Sequence, residues 1–172
     1  MGNRILLHRE HHNLEEHLKM SNGLTSVFIA VLVLSGSTLA QTKNEKELVI
    51  WLASRDQGVY GIGTVGFYIS DMPWTQMGFA DEKNFLLRAI EGARAKQRWD
   101  ILDYSPNEEF VTFALDRFEN LISLFDEQYI DEAKFHEWQD YLKRYATSDD
   151  FIMCEKHGVY LHPVGCVICH DT

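Results

Sequence analysis

Residues 20–42 read MSNGLTSVFIAVLVLSGSTLAQT, an uncharged run between Lys19 and Lys43 with its apolar heart at Leu24–Leu34. Three architectures compete for it. A membrane span needs roughly 20 predominantly apolar residues, and here Ser, Thr, Gly and Asn dilute both ends. A signal peptide would use Leu24–Leu34 as its hydrophobic region and be cut after Thr38-Leu39-Ala40, a small-residue site. Against that, the preceding residues carry as many acids as bases, although a start at Met20 would look more like a leader. The third architecture is a buried core element. The β-branched residues Val27, Ile29, Val31 and Val33 then favour a strand over a helix. A core element, either a strand or a core helix, and a targeting segment are the two main expectations, with a span behind both.

On the N-terminal side lie His8, His11, His12 and His17 among Glu10, Glu15 and Glu16. On a helix, His8 and His12 would share a face at i, i+4 and could chelate a divalent ion. A solvated, frayed terminus that is rich in histidine is the favoured reading, because nothing nearby supplies a rigid frame.

On the C-terminal side the composition changes at Lys43, dividing the chain into a His-rich and apolar segment (1–42), a body (43–152) and a tail (153–172). Leu48–Ala53 reads as a short buried strand, Arg55-Asp56-Gln57-Gly58 as a turn, and Val59–Ser70 as a glycine-punctuated second strand closed by Asp71-Met72-Pro73. Three helices follow. Asp81 is expected to cap the first, to about Gln97, with Phe85, Leu86, Ala89, Ile90 and Ala93 inward. Trp99–Tyr104 reads as a short strand. Ser105-Pro106-Asn107-Glu108 looks like a capping box for a second helix carrying Phe110, Phe113, Phe118 and Phe125 at core spacing. Asp131 is expected to cap a third, with Phe135, Trp138, Leu142 and Tyr145 inward. The fold class is therefore α+β: a small antiparallel sheet, about three helices and a C-terminal hairpin.

The 172 residues fit one ordinary domain with a small appendage. Apolar residues at 45% and charged residues at 24% exclude wholesale disorder and a multi-span membrane protein. The net charge is −10, which argues against a general phosphate-coating protein. It is also localised: residues 99–152 hold 14 acidic side chains against 4 basic ones. Nucleic acid is thus an unfavoured partner, although a local contact by the nearly neutral tail remains open. The acidic helices offer either a docking face for a basic protein or simply a soluble exterior.

Gly61-Ile62-Gly63-Thr64-Val65-Gly66 matches G-x-G-x-x-G literally. A dinucleotide site requires a helix to open at the third glycine, and Phe67-Tyr68-Ile69-Ser70 reads as a strand instead. The kinase-type glycine loop does sit in a hairpin, but none of its companion motifs is present. A hairpin with bulges explains the glycines best. A small-ligand cleft using Arg55, Asp56, Tyr60, Gly61 and Gly63, with Tyr68, Asp71 and Trp74 nearby, is the alternative.

All three cysteines fall in the tail: Cys154-Glu155-Lys156-His157, then eight residues, then Cys166-Val167-Ile168-Cys169. Each C-x2-H or C-x2-C pair can close a knuckle that aims two ligands at one ion. Cys154, His157, Cys166 and Cys169 make a Cys3His set suited to tetrahedral Zn²⁺. Residues 154–169 resemble short zinc-knuckle or zinc-ribbon modules, a likeness that covers about a tenth of the chain and names no family for the body. Cys166-Val167-Ile168-Cys169-His170 also matches the C-x-x-C-H haem pattern, but only two residues follow and Cys154 with His157 would be unexplained. A redox C-x-x-C pair or three plain buried thiols are further readings. Four protein ligands leave no open position for water, so the zinc is expected to be structural unless His162 or His170 replaces a ligand.

The expected function is a non-enzymatic interaction or regulatory protein with a structural zinc. The alternatives are a small-ligand-binding protein or enzyme built on residues 55–74, and an exported haem protein. Zinc thiolates fit a reducing cytoplasm. Export or membrane association would depend on residues 20–42.

Overall fold

The computed structural model describes residues 3–10, 17–56, 66–145 and 151–169. Among these, five α-helices and a small three-stranded sheet make an α+β fold. The uncharged run is α1, Asn22–Leu39, and not a strand. Ser21 starts it, its Oγ accepting the Leu24 N–H at 3.2 Å. Phe28 through Ser37 are all buried, so β-branching carried no information about the element: a helix enclosed on every side is apolar all round. It is the one described helix long and apolar enough to cross a membrane, and most of that length is covered by protein.

Helix α2, Lys43–Ala53, follows after a short connection. Thr42 and Glu45 form a capping box: Thr42 Oγ1 accepts the Glu45 N–H at 3.2 Å, and Glu45 Oε1 accepts the Thr42 N–H at 3.4 Å. Leu48–Ala53, expected to be a strand, is therefore the last part of a helix, and all six residues are buried. Gly36 lets α1 and α2 approach closely, since a Cβ there would lie 2.8 Å from Val49 Cγ2.

Strands β1 (Arg4–Leu6), β2 (Leu18–Lys19) and β3 (Phe67–Tyr68) lie in the order β2-β1-β3. β1 pairs antiparallel with β2, Ile5 opposite Leu18, and parallel with β3, Ile5 opposite Phe67. The sheet is thus mixed rather than antiparallel, and the expected hairpin within residues 47–70 is replaced by a pairing of the N-terminus with β3. Nor do residues 4–10 and 17–20 form a frayed end. Ile5, Leu7, Leu18 and Met20 belong to the main core, and His8 stacks on Tyr129 at 4.0 Å between ring centroids. His11 and His12 lie outside the described residues.

Helix α3, Phe79–Arg94, begins two residues before Asp81, with Gly78 at its N-cap, and buries the expected stripe of Phe85, Leu86, Ala89, Ile90 and Ala93. Helix α4, Glu108–Leu124, is capped by Asn107, whose Oδ1 accepts the Phe110 N–H at 3.1 Å, so Ser105 is not the cap. At its other end Lys83 Nζ donates to the Ser123 and Phe125 carbonyls, 2.9 Å each. Phe118 and Phe125 are inward as expected, but Phe110 and Phe113 are 58% and 50% exposed. Trp99–Ile101 is a 3₁₀ turn, not a strand. Helix α5, Glu132–Tyr145, follows Asp131, whose carboxylate accepts the Ala133 N–H. It buries only Trp138, and Tyr145 points outward. α1 is the centre of the assembly, packed by α2, α3 and α4.

Glu47 on α2 is buried and accepts a hydrogen bond from Gln139 Nε2 at 2.9 Å. Burial raises its carboxyl above the ordinary range; the Gln139 bond and the Lys43 charge oppose this, and Glu82 adds to it. The folded state therefore binds this proton more tightly than the unfolded chain does. The group favours folding most below the ordinary carboxyl range, and that contribution declines as pH rises through the raised value. Glu47→Gln is expected to be about 1 kcal/mol more stable than wild type at pH 7, the two converging toward pH 4. Urea midpoints across this range test it, and a variant less stable than wild type at pH 7 would refute it.

Candidate metal centre

The tail is irregular, which suits it to bringing short side chains to one point. Cys154 N–H donates to the Val159 carbonyl at 2.8 Å, and Gly158 N–H to the Cys154 carbonyl at 2.7 Å, closing the first knuckle. Gly158 takes φ +60°, which only glycine adopts readily, and a Cβ there would press on Arg98 Nη2 at 2.7 Å. A tight turn then reverses the chain, with reciprocal bonds between His162 and Gly165 of 3.0 and 2.9 Å. In the second knuckle the Ile168 N–H points at Cys166 Sγ, 3.4 Å away.

These turns bring Cys154, His157, Cys166 and Cys169 together, with all four ligand atoms within 4.8 Å of one another. Cys154 Sγ lies 3.8 Å from Cys169 Sγ and 3.6 Å from His157 Nδ1, and Cys166 Sγ lies 3.7 Å from the same nitrogen. Around a tetrahedral ion with bonds of about 2.3 Å to sulfur and about 2.0–2.1 Å to nitrogen, two sulfurs stand about 3.8 Å apart and a sulfur–nitrogen pair about 3.6 Å. Three of the six donor pairs therefore match the edges of a tetrahedral shell, and the cluster could hold a metal ion.

Burial pushes the Cys166 thiol up to about 11; the N–H groups of Cys169 and Ile168 oppose the rise, and the other two thiols contribute to it. At Cys154 burial also acts upward, but the N–H groups of His157 and Lys156, with the Cys166 and Cys169 thiols, outweigh it and hold the group below its ordinary value. A bound cation would favour the thiolate at every cysteine, and binding would release the protons.

The centre is tied to the body. Val159, Tyr160, Cys166 and Val167 are part of the main core. Tyr160 N–H donates to Ser37 Oγ on α1 at 3.2 Å. Arg98, itself left-handed at φ 61°, donates through Nη1 to the Gly158 carbonyl at 3.0 Å and through Nη2 to the His157 carbonyl. Arg98 and Ser37 carry no local sequence signal for this role, because their partners lie about 60 and 123 residues away. His162 Nδ1 accepts the Val164 N–H at 3.2 Å, so that nitrogen serves the turn rather than the ligand set. His170 lies outside the described residues.

The described residues of the glycine-rich alternative are not part of this cluster. Arg55 lies over the Trp51 ring, 4.5 Å from its centroid, and donates to Ser54 Oγ; Asp56 is buried where α2 ends. Asp71 Oδ2 accepts the Tyr68 N–H at 2.9 Å, and the buried Trp74 donates to the Ile69 carbonyl at 2.8 Å, so both shape the turn after β3. Tyr60, Gly61 and Gly63 lie outside the described residues. No family model, no curated protein and no solved structure matches this chain.

Proposed function

We propose that the protein is a non-enzymatic interaction or regulatory module whose tail is fastened to its body by a structural zinc ion. The observation that carries the zinc reading is the spacing of the four donors, 3.6–3.8 Å where measured between neighbours. Three sulfurs and an imidazole are the donors that Zn²⁺ prefers over Mg²⁺ or Ca²⁺. Four protein ligands fill the shell, and Cys166 and His157 are buried, which supports a structural rather than a hydrolytic ion. Buried Cys166, with its sulfur facing His157, also disfavours covalent attachment of a haem.

The interaction reading rests on α4. Phe110, Phe113 and Leu124 are exposed on a helix that also carries Glu109, matching a partner segment with apolar and basic side chains. A reducing cytoplasm is the compartment that would keep the three thiols available as ligands.

Metal analysis of untagged protein purified under reducing conditions tests the zinc. About one zinc per chain is expected for wild type, and a large loss for Cys166→Ser. Reduced, folded wild-type protein without stoichiometric metal would overturn the reading.

A further inference from the structure

The same four residues differ in access. Cys166 is fully buried, whereas Cys154 and Cys169 are half-buried at the edge of the cluster. Those two sulfurs are also 3.8 Å apart with no residue between them. A disulfide needs about 2.05 Å, so closing the gap requires a relative shift of about 1.8 Å by side chains on an irregular tail. No helix or strand would have to break, since the tail is held by isolated bridges at Met153–Tyr160 and His162–Gly165.

We propose that Cys154 and Cys169 form a peroxide-sensitive modification site, and that their oxidation to a disulfide expels the metal ion. The inference rests on the zinc reading above and adds its regulation. The electron balance is that of a two-electron oxidation. One thiolate attacks a peroxide oxygen, the O–O bond breaks, and hydroxide leaves a sulfenic acid on that sulfur. The second thiolate attacks the sulfenic sulfur, the S–S bond forms, and a second hydroxide departs. Both hydroxides take protons from solvent. The peroxide is reduced and the two cysteines are oxidised.

The disulfide removes two of the four ligands and draws two sulfurs into the space between them, leaving only His157 and Cys166. Two donors do not retain a tetrahedral ion against solvent. Cys166 is spared because its side chain is fully buried, out of reach of peroxide. The ligand cysteines therefore divide into an outer pair that reacts and an inner residue that anchors.

Hydrogen peroxide titration of the zinc-loaded full chain tests this, with released zinc followed by a chromogenic chelator and cysteine linkage mapped by mass spectrometry without prior reduction. About one zinc is expected to be released for each Cys154–Cys169 link formed, and a thiol reductant with added zinc should restore both. Retention of zinc at high peroxide excess would overturn the proposal, as would a link through Cys166, a link between chains, or irreversible oxidation without a link. Because linkage is read on wild-type protein, no ligand variant has to fold. Starting protein without zinc would instead refute the metal reading. In that case the expulsion of a metal falls with it; a Cys154–Cys169 link would leave only the pair's oxidation standing, and its absence would overturn that as well.

Discussion

Removing the metal from the wild-type protein with a strong chelator is expected to lower its unfolding free energy by about 4 kcal/mol, and Cys166→Ser is expected to lose a similar amount. An ion that binds only the folded chain stabilises it in proportion to the logarithm of its excess over the dissociation constant, reaching about 4 kcal/mol at a thousandfold. Among the described residues of the tail there is no helix or strand to fall back on. Among its contacts with the body, Val159, Tyr160, Cys166 and Val167 lie in the core, with Ser37 and Arg98 holding its backbone. Without an ion, three thiols and an imidazole are left facing one another at 3.6–3.8 Å. The measurement is urea denaturation of wild type and Cys166→Ser, each with and without chelator. Chelator should shift the wild-type midpoint and leave the variant nearly unchanged. The wild-type arm is decisive, because serine at a buried thiol also alters packing. A wild-type midpoint indifferent to chelator would refute the structural role. Lys156→Ala, inside the first knuckle but on an exposed side chain, should cost less than about 0.5 kcal/mol.

The parts of this molecule that were legible in the sequence share one property: their signal is local. The α3 stripe from Phe85 to Ala93 follows a helical period on a half-wet helix, and it is buried as that period implies. Asp131 stands immediately before α5 and caps it. The four candidate metal ligands lie within one short segment, so two knuckles can be seen without knowing the body. Elements enclosed on all sides behave differently. Phe28–Leu34 and Leu48–Ala53 are unbroken buried runs, and a continuous apolar run has no period to separate strand from helix. The correct cue was at the edge of the second run, in Thr42-x-x-Glu45, which is a capping box. The sheet was out of reach for a different reason. Its strands are two or three residues long, and the pairing of Ile5 with Phe67 crosses most of the first half of the chain. Phe110 and Phe113 misled because they fall at helical spacing but on a face rotated away from Val111, Ala114 and Phe118.

Phe28→Ala is the substitution that tests whether residues 20–42 are integral to the body, and it is expected to cost about 3–5 kcal/mol. The Phe28 ring is fully buried at the middle of the fold and meets Phe118 of α4 edge to face, with centroids 5.3 Å apart. Two terms add. The ring loses its transfer out of water, and the space it leaves is fenced by helices that cannot all move inward, since Gly36 already holds α1 hard against Val49 of α2. The aromatic pair contributes a further ~0.5–1.5 kcal/mol that alanine cannot replace. Leu24, one turn earlier on the same helix, is only partly buried, and Leu24→Ala should cost about 1–2 kcal/mol. The contrast matters more than either number. A segment that merely addressed the chain to a membrane would leave the stability of residues 43–169 unchanged by both substitutions, because its side chains would pack against nothing in the folded body. A core helix instead gives a steep gradient from Leu24 to Phe28. Urea denaturation of both variants at one pH, in the presence of zinc, measures it. A Phe28→Ala protein within about 0.5 kcal/mol of wild type would show that α1 does not hold α2, α3 and α4 together.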